Sequence, residues 1–110
     1  MLEALLGSVA AERTLLYLQN YGEGHARAIA TTFDMESHTQ ISKQLKKLED
    51  GGFLVSRPIG RTRVFYWNDR NPLVRDIRRL LQSALEVLPT QEIQRHYRQR
   101  RRPRRAGKPN

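Results

Sequence analysis

The sequence predicts a mainly helical α+β domain followed by a basic tail, on three observations. Apolar residues recur at helical spacing through residues 9–33, 38–50 and 72–88. Two runs rich in aromatic and β-branched residues, 53–59 and 62–67, flank Gly60-Arg61 as a hairpin. Beyond the last helical stretch the chain turns almost purely cationic. With 110 residues, one domain has enough apolar surface to form a core without staples.

Each element has its own signal. In the first helix, residues 9–19, Ala11, Leu15 and Leu18 share a face, Ser8 is the N-cap, and Gly22-Glu23-Gly24 stops the helix. In the second, residues 25–33, Ala26, Ile29, Ala30 and Phe33 stand at i, i+3, i+4 and i+7, a complete apolar stripe. Asp34-Met35-Glu36 makes a turn. The third helix, residues 38–50, opens on Ser37 and Gln40, which match the S-x-x-Q capping box. Ile41, Leu45 and Leu48 form its buried stripe, and Gly51-Gly52 supplies a residue that tolerates positive φ at its end. After the hairpin, Asn71 and Pro72 provide a cap and a first-turn proline for a fourth helix, residues 72–88, which Pro89 breaks. Residues 90–98 are expected to form a frayed helical turn or two, and residues 100–110 to be disordered. The expected division is a domain over residues 1–94 and an arginine-rich tail over 95–110.

Charge is unevenly spread. The net charge is +9, yet residues 1–94 carry twelve Lys/Arg against eleven Asp/Glu, and the last sixteen residues carry eight Lys/Arg and no acid. Within the body, residues 37–63 hold six basic residues and two acids. Such local concentrations of positive charge attract phosphate backbones. There are no cysteines, so disulfides and thiolate metal sites are excluded. His25, His38 and His96 lack ligand spacing, and no metal or cofactor is expected. Paired carboxylates, a nucleophilic triad and a phosphate-binding glycine loop are all missing from the sequence, so the chain is not expected to be an enzyme. No apolar run is long enough to span a membrane, and residues 1–6 lack a signal peptide's basic start, so a cytoplasmic, nucleoid-associated location is expected.

A short helix and a tight turn before a polar, basic helix make a helix-turn-helix, whose second helix fits the major groove. On the third helix Ile41, Leu45 and Leu48 face inward, Thr39, Lys43, Lys46 and Lys47 face away, and Gln40 and Gln44 flank them. Residues near the helix start enter the groove most deeply, so Thr39, Gln40, Lys43 and Gln44 are expected to meet base edges, and Lys46 and Lys47 phosphates. Gln40 has a competing role in the capping box. Arg57, Arg61 and Arg63 are expected to gather at the hairpin tip, a basic wing on an apolar base that follows the backbone or a minor groove. The fold class is then a winged helix-turn-helix with a C-terminal dimerisation helix and a basic disordered tail.

The stretches I-S-K-Q-L-K-K-L-E-D-G-G-F-L-V (from Ile41), G-R-T-R-V-F-Y-W-N (from Gly60) and N-P-L-V-R-D-I (from Asn71) resemble the ArsR-type winged-helix regulators. More narrowly, they are similar to the winged-helix domains found alone or joined to minimal nucleotidyltransferases. The resemblance covers residues 2–88. It implies base reading by Thr39, Gln40, Lys43 and Gln44, wing positions for Arg61 and Arg63, and a homodimer built from the first and last helices. The cysteine motif of the metal-sensing members and the D-x-H ligands of their last helix are absent here, and the turn between residues 35 and 41 is one residue longer than usual.

The last helix points to a dimer on its own account. Leu73, Ile77, Leu80, Ala84 and Leu88 fall on one face, and Val74, Leu81 and Leu85 widen it beyond what one small domain covers. The expected interface is Leu73, Ile77, Leu80, Leu81, Ala84 and Leu88. Two functions follow from different classes. One is a dimeric regulator that binds double-stranded DNA sequence-specifically, with a second nucleic-acid contact through the tail. The other is an interaction module for a protein partner, such as a nucleotidyltransferase or toxin, or for RNA.

Overall fold

The computed structural model describes residues 1–98. The elements run α1 (Glu3–Leu6), α2 (Val9–Tyr21), β1 (Glu23–Gly24), α3 (Ala26–Thr32), α4 (Thr39–Asp50), β2 (Leu54–Ile59), β3 (Thr62–Trp67), α5 (Val74–Val87) and α6 (Thr90–His96). Helices α2, α3 and α4 pack around one core, β2 and β3 project as a wing, and α5 returns to lie on α2.

Ser8 caps α2 as expected, its Oγ accepting the Ala11 N–H at 3.0 Å. Gly22 stops the helix at φ +89°. The two residues after it do more than end a helix. Glu23 and Gly24 pair antiparallel with Tyr66 and Phe65, which makes a three-stranded sheet of order β1-β3-β2. Gly24 is required there, because a Cβ on it would stand 2.5 Å from a ring carbon of Tyr17.

Helix α3 starts on His25, whose Nδ1 accepts the Ala28 N–H at 3.2 Å. Its stripe Ile29, Ala30 and Phe33 is buried. Asp34 turns the chain at φ +56°, a conformation that Asp tolerates through its short polar side chain. The capping box expected at the start of α4 does not form. His38 is the N-cap residue, Ser37 Oγ accepts the nearer Thr39 N–H at 3.1 Å, and Gln40 is exposed. The turn thus binds Ser37 locally, and the Gln40 side chain takes no part in the cap. Ile41 and Leu45 are fully buried, Leu48 half-buried, and Gly52 supplies the positive φ at +85°.

The wing closes on the pair Ile59 and Thr62 around Gly60-Arg61, with Gly60 at φ +62° as a type II′ loop demands of its first central residue. Trp67, the last residue of β3, is buried and its Nε1–H donates to Leu18 O at 3.3 Å. Asn71 accepts the Leu73 N–H at 3.0 Å in the turn before α5, but the helix expected from residue 72 starts later: Pro72 stays in the turn, Leu73 is the N-cap residue with no side-chain cap, and α5 begins at Val74.

Three expectations change at the two ends of the chain. An extra helix, α1, precedes α2. Leu2 and Leu6 pack on the core from it, and Glu12 accepts the Leu2 N–H at 2.7 Å. The six-residue interface expected on α5 divides. Leu81 and Ala84 are buried in the monomer's own core at 1% and 6% exposure, so they are not available to a second copy, whereas Leu73 and Leu80 are exposed. Lastly, the domain does not end at residue 94. Helix α6 runs to His96, and Tyr97 is 3% exposed against Phe33, ring centroids 5.6 Å apart. Tyr21 clasps the same segment, its hydroxyl donating to His96 O at 2.9 Å and accepting the Arg98 N–H at 3.1 Å. Burial pushes the Tyr97 hydroxyl well above its ordinary pKa. The folded body therefore extends to Arg98, and the tail expected over 95–110 falls, from residue 99 on, outside the described residues.

Candidate nucleic-acid interface

Helix α4 sorts its side chains by period. With Ile41 and Leu45 inward, Thr39, Gln40, Lys43, Lys46 and Lys47 are exposed and Gln44 is half-buried. Thr39, Lys43, Lys46 and Lys47 border one shallow surface together with Ser42 and Asp50. Ser42 was missed by the sequence reading, although it lies three residues after Thr39 and so on the same face. His38 is also exposed at the start of this surface, its Nδ1 3.4 Å from Ser42 Oγ. The lysines are not equivalent. Lys46 pairs with Asp50 at 3.2 Å one turn on, an exposed contact that partly offsets its charge. Lys43 and Lys47 form no ion pair among the described residues.

The three wing arginines do not gather at the tip. Strand register decides this, because side chains at directly paired positions share a face of the sheet. Arg57 pairs with Val64, whereas Arg63 pairs with Pro58, one step along and so on the opposite face. Arg57 lies 5.0 Å over the Tyr66 ring and forms an ion pair with Glu23 of β1 at 3.2 Å. Arg63 donates to Ser56 Oγ at 3.0 Å, and the Ser56 hydroxyl in turn donates to Glu49 on α4. Arg63 therefore lies on the α4 side of the wing, steadied through a serine. Arg61 occupies the loop, exposed, with no ion pair among the described residues.

The candidate interface is a groove-sized helix with Lys43 and Lys47 and a wing tip with Arg61, none of them in an ion pair among the described residues, and Arg63 held beside the helix. No group of three or more His, Asp or Glu residues that could hold a metal occurs among the described residues, and no described helix is long and apolar enough to cross a membrane.

Helix-turn-helix, hairpin and following helix, in that order, define a winged helix-turn-helix domain. No protein-family model and no curated protein matches the chain. Among solved structures it is similar to the YusO protein from Bacillus subtilis, with 16% identity over 83% of this chain and 70% of that one, at a TM-score of 0.52. At that identity the likeness extends to the fold alone. It also overlaps the homodimeric winged helix-turn-helix DNA-binding domain (fragment 1–100) of Mb0332 from Mycobacterium bovis, described as a possible ArsR-family transcriptional regulator. That overlap covers 93% of this chain and 94% of the other at 24% identity, with a lower TM-score of 0.47.

Proposed function

We propose that this chain binds double-stranded DNA as a dimeric transcriptional regulator, with α4 in the major groove and the wing along the backbone. The observation that supports it most is the division of α4: Ile41 and Leu45 fully buried on one face, and on the other a row of exposed Thr39, Lys43 and Lys47 with Gln40 beside it. A helix of about 10–12 Å diameter fits the major groove. Residues in its first turns reach base edges, where Lys donates to guanine O6 and N7 and Gln pairs with adenine. Thr39, Gln40, Lys43 and Gln44 fill that role. Lys46 and Lys47, further along, meet phosphates, as do Arg61 and Arg63 on the wing. The six Lys/Arg of residues 99–110 add phosphate contacts without reading sequence.

The dimer in this proposal uses what the monomer leaves uncovered. Leu73, Leu80 and Val87 stand seven residues apart along α5 and are 57%, 47% and 70% exposed, with half-buried Ile77 and Leu88 beside them. Leu5 of α1 is exposed as well. Two copies joined along this stripe are expected to hold their α4 helices about 34 Å apart, one DNA turn. Light scattering at micromolar concentration is expected to give a dimer that Leu80→Glu returns to a monomer.

The binding test compares selected duplex, random duplex, single-stranded DNA and structured RNA under one salt condition. A selected duplex bound at least about a thousandfold more tightly than a random one is expected of a specific regulator. Equal binding to all duplexes, or binding to RNA alone, would remove the regulator reading and favour an interaction module.

A further inference from the structure

A cavity of about 580 Å³ does not belong to the α4 surface and shares no residue with it. It opens between the end of α2, the loop at Asp69–Pro72 and the first half of α5. The helical period explains its lining. With Leu73, Leu80 and Val87 on one flank of α5, positions 75, 78, 79 and 82 fall on the other. Arg75, Arg78, Arg79 and Gln82 therefore line the cavity, opposed by a single acid, Asp69.

Arg78 is built into this wall. Its Nε–H donates to Gln19 Oε1 at 2.9 Å, its guanidinium lies 5.7 Å from the centre of the Trp67 ring, and Gln19 donates onward to Gln82 at 3.1 Å. These partners are neutral. They fix the guanidinium without cancelling its charge, and neither Arg75 nor Arg78 forms an ion pair among the described residues. Arg79 reaches Asp76 only at 3.8 Å, with both side chains largely exposed. An arginine fork matches a carboxylate or phosphate through two parallel hydrogen bonds, and fixing it beforehand lowers the ordering cost of binding. Pro72 adds an apolar wall. The volume lies within the range of small-molecule sites.

We propose that this cavity binds a small organic anion, its phosphate or carboxylate group held by Arg75, Arg78 and Arg79 and its apolar part resting on Pro72. The site stands independently of DNA binding, because it shares no residue with the α4 surface. A phosphate-lined nucleic acid is the less fitting occupant, since the concavity suits a ligand of limited size rather than an extended backbone.

Trp67 is the chain's one tryptophan, so its fluorescence reports on Arg78 directly. The experiment titrates the full chain with phenyl phosphate, inorganic phosphate and benzoate at constant ionic strength, following Trp67 emission and heat of binding. Saturable binding is expected, tighter for phenyl phosphate than for inorganic phosphate, and comparison with benzoate shows which anionic group is preferred. Arg75→Gln and Arg79→Gln, both at exposed positions that leave the fold intact, are each expected to weaken it about tenfold. Arg27→Gln, at an exposed position of α3 outside the cavity, is expected to leave anion binding unchanged. The proposal is overturned if none of the three anions saturates, or if saturation is unaltered in Arg75→Gln and Arg79→Gln. It is overturned equally if only duplex DNA changes the emission and those two variants abolish that change, which would assign the arginines to a nucleic-acid backbone.

Discussion

Three lysines on α4 and three arginines on the hairpin carry the same formal charge and meet different fates. On α4 the 3.6-residue period keeps Lys43, Lys46 and Lys47 on the outward side, and all three are exposed. On the hairpin the period is two, and one residue of offset moves a side chain to the other face. Arg57 thus lies against Tyr66 and Glu23, while Arg63 is held toward α4 by Ser56. A basic stretch on a helix becomes a basic face. On a hairpin it becomes two half-faces and a tip, of which only part is free to meet a phosphate.

The largest effect expected on DNA lies outside both regions and sets the scale for them. Residues 99–110 hold six Lys/Arg and no acid. If about half of these meet phosphates, each adding roughly 0.9 to the slope of log affinity against log salt, the slope steepens by about 2.7. Going from 50 to 200 mM salt then costs the full chain on the order of 40-fold more affinity than a chain ending at Arg98. A salt titration of both chains checks this, and parallel slopes would show that the segment does not touch DNA. The end point matters. A chain stopping at Gln94 loses Tyr97 from its place on Phe33, a loss of about 3 kcal/mol or more by analogy with aromatic truncation in cores, whereas a chain ending at Arg98 keeps it.

Within α4, if Lys43 meets a base as proposed, Lys43→Ala is expected to cost about 1–3 kcal/mol on the preferred duplex and less on random DNA. Quantitative binding to both duplexes decides it. Equal losses would place Lys43 on phosphate and weaken the contrast between helix and wing.

Arg61→Ala and Arg63→Ala are expected to cost on the order of 1 kcal/mol each, alike on both duplexes, and to lower the salt slope by about 0.9 apiece. Ser56→Ala serves as the companion to Arg63→Ala. If the serine only steadies the guanidinium, its removal should give part of the same loss with no change in the slope. A loss confined to the preferred duplex would mean that the wing reads sequence.

How much of this was legible follows from the range of the forces involved. Helices α2, α4 and the body of α5 are set by spacings within a dozen residues; the α2 stripe is buried where the spacing puts it, and that of α4 is buried at Ile41 and Leu45 with Leu48 half-buried. Strand β1 has no pattern of its own, since two residues carry no period. It exists because β3 offers Tyr66 and Phe65 across a distance the sequence does not display. Tyr97 sits among arginines, and only the surfaces of Phe33 and Tyr21, more than sixty residues earlier, reveal it as a core residue. Helix α5 shows the intermediate case. Its apolar arc was plain, but the spacing does not say where the monomer's share ends, and Leu81 and Ala84 fell inside it. The site divides in the same way. The α4 residues came from one helical wheel, whereas the sorting of the arginines needed the register and the partner Glu23.

Arg57 gives the smallest effect and the sharpest test of the contrast. It was grouped with the other wing arginines on sequence proximity, yet its guanidinium is engaged twice, by Glu23 at 3.2 Å and by the Tyr66 ring at 5.0 Å. Both partners are on the sheet, so Arg57 ties β2 across β3 to β1. The ion pair is about half-exposed on each side, which limits its contribution to a few tenths of a kcal/mol after solvent screening, and the ring contact adds about 0.5 kcal/mol. Arg57→Ala is therefore expected to lower stability to denaturant by up to about 1 kcal/mol while leaving affinity for either duplex within about twofold of the parent. Glu23→Gln should reproduce most of the ion-pair part and none of the ring part. Should Arg57→Ala instead weaken DNA binding as much as Arg61→Ala does, the guanidinium must leave Glu23 for a phosphate in the complex, and the two faces of the wing act as one.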